Sequence, residues 1–244
     1  ALIHFDDLIS SMEATVSILE HNPSAIEHIG SMILRQAKNN LEYSRMMTFV
    51  EGDPESVLAV EMIADSQNEL QDKLEKLKIQ MDKQKYGYST KLLLSNSDQQ
   101  KVWNIRKAGL GLMMSAPGDY KAIPFVEDTA VDPKVLPEFV REFDQIVRDH
   151  DTEAGYYGHA SVGCLHIRPL INLKDKSEVA KMKSISKEIT DLVIKFGGSI
   201  SGEHGDGLVR SYWNKKMFGE KIYKAFKELK YSFDPNKLMN PGKI

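Results

Sequence analysis

The chain of 244 residues has one cysteine, Cys164, so no disulfide can close within it. A CxxC zinc site or an iron–sulfur cluster is excluded for the same reason, because each needs several thiolates. The lone thiol points to a reducing, cytoplasmic setting, at most peripheral to the inner face of a membrane. No apolar run approaches the ~20 residues needed to span a bilayer. Basic residues number 32 and acidic residues 35, without any basic block interleaved with aromatics, so nothing draws the chain to nucleic acid. No basic-then-apolar signal segment opens the sequence. It starts instead in an apolar stretch, Ala1-Leu-Ile-His-Phe5, which gives the expectation of a boundary inside a longer protein. A Gly-x-Gly-x-x-Gly turn after a strand is also lacking; Gly109 with Gly111 has too few glycines and the wrong setting for a dinucleotide.

What is present is a globular make-up, 41% hydrophobic and 27% charged, able to bury a core in one large domain or two small ones. Leu2 to Phe5 reads as a strand, and Asp6 or Asp7 as the cap of a helix with Leu8, Met12, Val16 and Leu19 at helical spacing. A second helix is expected from Ser24 to Ala37 and a strand from Met46 to Val50. Asp53-Pro54 then reads as the start of a long helix to Lys78, with Val57, Val60 and Ile63 on one face. Tyr86 to Leu94 is expected to be a strand, Ser97-Asp98 to open a helix, and Gly109-Leu-Gly and Pro117-Gly118-Asp119 to lie in a loop-like stretch. The second half reads as strand Lys121–Val131, helix Pro133–Arg148, strands Glu153–His159 and Leu165–Leu170, helix Asp175–Phe196 and strand Ser199–Ser201. This β-α-β-β-α-β order is that of a ferredoxin-like unit. The first half shows a looser version of it, so the expected class is α+β, a mostly antiparallel sheet backed by helices, with duplication of the ferredoxin-like unit as a guess.

Three segments carry candidate chemistry. In Gly158-His159-Ala-Ser-Val-Gly163-Cys164-Leu165-His166-Ile-Arg168-Pro169, glycines and flanking β-formers predict a hairpin-like turn that returns the two imidazoles to each other. Paired neutral imidazoles suit a divalent transition metal, though two ordinary partly buried histidines would read the same. In Ser201-Gly202-Glu203-His204-Gly205-Asp206-Gly207, three glycines surround four polar side chains, so the backbone can turn sharply and approach a ligand. Glu203 would complete a His-His-Glu metal site and His204 would serve as a general base; a capped strand-to-helix loop is the plain alternative. Arg106 and Lys121 could clamp a carboxylate, by a fork and a point charge respectively, or simply be solvated.

These segments, with the ending Phe233-Asp234-Pro235 to Leu238-Met239-Asn240-Pro241-Gly242-Lys243, resemble the C-terminal domain of the FAD-linked oxidases of the vanillyl-alcohol oxidase type. Within that group the likeness is to the glycolate oxidase, D-lactate dehydrogenase and D-2-hydroxyglutarate dehydrogenase branch, over residues 1–244 as one domain. The resemblance implies a zinc or similar divalent ion on His159, His166 and Glu203, His204 as base, Arg106 and Lys121 on the substrate carboxylate, and Asn240 near the flavin. It implies oxidation of a D-2-hydroxy acid to a 2-oxo acid, with FAD held mostly by an FAD-binding domain that this chain lacks. Two departures stand out. The histidines bracket Ala-Ser-Val-Gly-Cys-Leu rather than a Gly-Asp-Gly-Asn-Leu type, and Arg168 stands where an asparagine is familiar. A second guanidinium there would favour a longer or doubly acidic substrate. Phe125-Val-Glu-Asp-Thr-Ala is similar to the large forms of the family, in which an iron–sulfur portion passes electrons onward. A metal-dependent hydrolase and a non-catalytic binding module are the alternatives: the first predicts activity without flavin, the second no metal at His159, His166 and Glu203.

Overall fold

The computed structural model describes residues 1–243. Its elements, in order, are β1 (Leu2–Phe5), α1 (Leu8–Ile18), β2 (Ala25–Gly30), α2 (Ser31–Asn39), α3 (Leu41–Ser44), β3 (Ser56–Glu61), α4 (Gln67–Gln84), β4 (Ser89–Lys91) and α5 (Asn96–Met114). Then follow β5 (Lys121–Ala122), β6 (Thr129–Ala130), α6 (Leu136–Asp149), β7 (Ala154–His159), β8 (Cys164–Ile171), α7 (Lys176–Lys195), α8 (Gly207–Arg210) and α9 (Asn214–Phe233). The strands form one open sheet in the order β4-β1-β3-β2-β7-β8-β5, with β6 also pairing β8, and every pairing is antiparallel. The expected α+β class with a mostly antiparallel sheet therefore holds.

Helix starts follow local chemistry. Asp7 is the cap of α1, accepting from Ser10 N at 2.8 Å. Ser66 caps α4 through Glu69 N, while Glu69 reaches back to Asp65 N, two otherwise orphaned donors satisfied at one turn. One face of the sheet packs Ile3, Phe5, Ile26, Leu58, Leu165 and Ile167 against α1, α4, α6 and α7. The other packs Leu2, Ile29, Val57, Ala59 and Tyr157 against α2 and α5. His159, His166 and Arg168 lie on this second face of β7 and β8.

Several expected elements differ. The long helix from Pro54 is not formed: Ser56–Glu61 is β3, and the helix begins only at Gln67. The run Ser56-Val-Leu-Ala-Val60 is buried at every position, between β1 and β2, so both of its faces meet apolar neighbours. A short continuous apolar run of that kind has no periodicity with which to tell strand from helix. For the same reason the helix expected from Ser24 is the central strand β2 followed by α2. Met47–Phe49 is a single 3-10 turn rather than a strand, and Gly109 and Gly111 lie inside α5 rather than in a loop. The strand expected over Lys121–Val131 is broken into β5 and β6, with Pro124 between them, and Ser199–Ser201 is reduced to the single bridge Ala130↔Ser199.

Candidate active site

The hairpin of β7 and β8 builds the first half of the site. Its register sets Tyr157 opposite His166 and His159 opposite Cys164, so both histidines rise from one face. The turn is a 3-10 segment, Ala160–Val162, closed by Gly163 at φ 67°, where a Cβ would overlap the carbonyl oxygen of Val131. Only glycine satisfies both conditions, and it brings the imidazoles of His159 and His166 to 5.4 Å between ring centroids, edge to face.

The second half is the loop Ser201–Gly207, hung on Asp128. This aspartate is fully buried and, unusually for a residue with a Cβ, sits at φ 72°. Its carboxylate accepts from Ser201 Oγ at 3.0 Å, from Glu203 N at 3.1 Å and from His204 N at 2.9 Å, and its backbone carbonyl accepts from Gly202 N. Burial alone would raise the Asp128 carboxyl, but these donated hydrogen bonds outweigh it and hold the group below its ordinary value. Arg210, on α8, closes the loop from behind by donating to the carbonyls of Gly205 and Glu127.

The two halves meet at one atom. Glu203 Oε1 lies 3.3 Å from His159 Nε2, 3.2 Å from His166 Nε2 and 3.2 Å from His204 Nε2. His204 stacks on His166 with centroids 4.8 Å apart and planes within 11°. Burial, then the neighbouring imidazoles of His204 and His159, lowers His166 to about 4, so it is neutral at physiological pH and keeps a lone pair. His159 donates from Nδ1 to Glu27 Oε1 at 2.7 Å, because a carboxylate can only accept. In the neutral ring Nε2 is then also an acceptor, and it faces the carboxylate oxygen of Glu203. Two acceptors at 3.3 Å repel unless a proton or a cation lies between them, and a set of His, His and Glu is chemically suited to a divalent ion. Asp128, His166, Glu203 and His204 also offer ligand atoms within 4.8 Å of one another. The Asp128 oxygens are already engaged by backbone and hydroxyl donors, and His159 Nε2 lies about as close to Glu203 Oε1 as the other two imidazoles do.

The cationic residues are all engaged. Arg106, on α5, places Nε at 2.8 Å and Nη2 at 2.7 Å from Glu27 Oε2 and stacks over Tyr157 at 5.0 Å. Arg168, buried on β8, pairs with Glu127. Lys121 donates to the carbonyls of Met114 and Ala116 at the C-terminal end of α5 and has no carboxylate partner among the described residues. Asn240 sits in an exposed turn beyond α9 at φ 46°, outside the hydrogen bonds and ion pairs of the cluster. Glu27, Glu127, Asp128 and Arg210 were missed from the sequence. The available signals were an acid within the apolar run Ala25-Ile-Glu-His-Ile29 and the adjacent pair Glu127-Asp128.

Comparison with known proteins shows the family of the chain. The C-terminal domain of FAD linked oxidases matches residues 1–244. A D-2-hydroxyglutarate dehydrogenase of Pantoea ananatis is 30% identical over 99% of the chain, which spans 24% of that protein's length. One of Haemophilus influenzae is 42% identical over 59% of the chain and 14% of that protein. The crystal structure of p-cresol methylhydroxylase with substrate bound shares the fold, with a TM-score of 0.70 at 10% identity over 99% of the chain and 51% of that structure. The chain spans only a fraction of each relative. It belongs to the family of FAD linked oxidase C-terminal domains.

Proposed function

We propose that this chain is the substrate- and metal-binding half of a flavin-dependent dehydrogenase that oxidises a D-2-hydroxy acid to a 2-oxo acid. The observation that carries the reading is the convergence of three imidazole Nε2 atoms on Glu203 Oε1 at 3.2–3.3 Å. His159, His166 and Glu203 would hold a divalent ion such as zinc, and an FAD-binding domain of the same protein would hold most of the flavin. When bound, the metal supplies Lewis-acid polarisation and the FAD supplies the hydride acceptor.

The chain's own residues do the rest. His204 Nε2 accepts the proton of the substrate hydroxyl, and Asp128 orients that imidazole through the backbone N–H of His204. Arg106, from α5, and Arg168, from β8, are assigned to the substrate carboxylate, with Lys121, held on the carbonyls at the end of α5, as a third cation. Because Glu27 and Glu127 neutralise the two guanidinium groups, Lys121 supplies the net charge and the arginines supply shape and orientation. Asn240 is proposed to meet the flavin once the FAD-binding domain is in place. Electrons leave through an acceptor, which in a large form of the family would be an iron–sulfur portion. The substrate is a small 2-hydroxy acid, and the D-2-hydroxyglutarate dehydrogenases among the relatives support a dicarboxylate.

The test is to produce the full-length protein, measure its bound metal and screen D-2-hydroxy acids for anaerobic bleaching of the flavin. Bleaching by at least one such acid, lost on chelation and restored by added metal, is expected. Turnover by the chain without flavin would replace this reading with a hydrolytic one.

A further inference from the structure

We propose that Glu27 is a positioning residue that couples His159 to Arg106, so that the metal site and the substrate-binding guanidinium are set by one carboxylate. This rests on the metal-binding reading above. The placement begins with strand register: Glu27 on β2 is the direct cross-strand partner of His159 on β7. Directly paired residues project from the same face, and here the two side chains meet at 2.7 Å. The second carboxylate oxygen takes both Nε and Nη2 of Arg106, which descends from α5. One oxygen is thus committed to an imidazole and the other to a guanidinium.

Each of these groups is fixed independently. Glu27 is 7% exposed and lies in a central strand paired on both sides. Arg106 lies between Glu27 and the face of Tyr157, whose ring in turn is 5.0 Å from that of His166. A buried carboxylate without partners would be costly, and this one has two. A carboxylate behind a metal-binding imidazole selects its tautomer, holds its ring plane and raises its basicity. The same kinds of group recur less tightly around the third imidazole, where Glu127 pairs with Arg168 and its Oε1 is 3.6 Å from His204 Nδ1. The consequence is that Arg106 acts on His159 through Glu27, and a change at Arg106 moves metal affinity as well as substrate binding.

The experiment uses the full-length flavoprotein, with Co(II) as the spectroscopic probe and Zn(II) affinity measured by competition with a chromophoric chelator. Glu27→Gln keeps the shape but must present an amide N–H to one of two donors. Zinc affinity is expected to fall about 10–100-fold and the Co(II) visible bands to shift, in a protein that still folds and keeps its flavin spectrum but melts at a lower temperature, because Arg106 loses its buried counter-charge. Arg106→Lys is expected to shift the Co(II) bands too, which a residue touching only substrate would not do. Should Glu27→Gln fail to fold, Glu27→Asp keeps the charge but reaches one partner only, and the same losses are expected. Wild-type zinc affinity and unchanged Co(II) bands in the folded Glu27 variant would overturn the inference and leave the proposed function standing. A wild-type protein that takes up neither ion would overturn both.

Discussion

Holding a residue with a Cβ at a left-handed φ costs on the order of 1 kcal/mol, and Asp128 does so at φ 72° while its carboxylate gathers the N–H groups of Glu203 and His204. The shape of the loop is therefore an electrostatic product of one side chain. Asp128→Ala strands those two donors and is expected to destabilise the protein by about 1–3 kcal/mol, read from the urea midpoint. Asp128→Asn tolerates the same backbone and retains one acceptor oxygen, so a smaller loss is expected. Chemistry at the neighbouring residue can be separated from this. His204→Ala leaves the backbone N–H on Asp128 in place, and turnover in the full-length enzyme should drop by about 10²–10⁴. Turnover within a few-fold of wild type would remove His204 as the base. Under the proposed function, Lys121→Met should chiefly raise KM, because Lys121 has no carboxylate partner among the described residues.

At the scale of elements, the hairpin of β7 and β8 was legible because its turn glycines and β-formers are local signals. So was the loop Ser201–Gly207, in which Gly202 packs closely against Cys164 while Gly205 and Gly207 have open space beside them. Strands β2 and β3 were not legible, since their burial on both faces comes from neighbours distant in sequence, and the run reads equally as a helix. That single ambiguity hid Glu27 and His28, because a helical reading gives neither residue a partner on β7. His28 has a testable consequence of its own. Burial first, and then the nearby Arg106 charge, lowers it to about 3 from an ordinary 6.5. Above pH 6.5 neither folded nor unfolded chain protonates this ring, so it contributes nothing to the pH dependence. Between pH 6.5 and about 3 only the unfolded chain takes up the proton, so stability falls as pH falls, by about 2 kcal/mol at pH 5 from this residue. His166, lowered to about 4, acts in the same direction over a narrower window. His28→Gln removes the first contribution and keeps a hydrogen-bonding group beside Ser56 Oγ, and its urea midpoint should change less between pH 7 and pH 5 than that of wild type.

At the scale of the whole molecule, exposed apolar side chains occur beside the candidate site, at Val162, Leu208 and Val209, and recur along the C-terminal helix. No helix among the described residues is long and apolar enough to cross a membrane. Yet α9, kinked at Gly219, exposes Ile222, Phe226, Leu229 and Phe233, three or four residues apart after the kink, and the turn after it exposes Leu238 and Met239. Such spacing lines one side of a helix, and an apolar stripe of that length is a surface that ordinarily meets another protein surface. The proposed function accounts for it: a chain that spans 24% of a relative's length would meet further parts of the same protein. Produced alone, the chain should therefore be colourless, inactive toward D-2-hydroxy acids, and brightly fluorescent with an apolar dye. Within the full-length protein, the amides and side chains of α9 should be protected from hydrogen exchange and from labelling. Ile222→Asp with Phe226→Asp should suppress dye binding by the isolated chain without lowering its melting temperature, because neither side chain belongs to the core. An isolated chain that binds FAD and turns over substrate would show that the site is complete within these residues, and the exposed stripe would then need a different explanation.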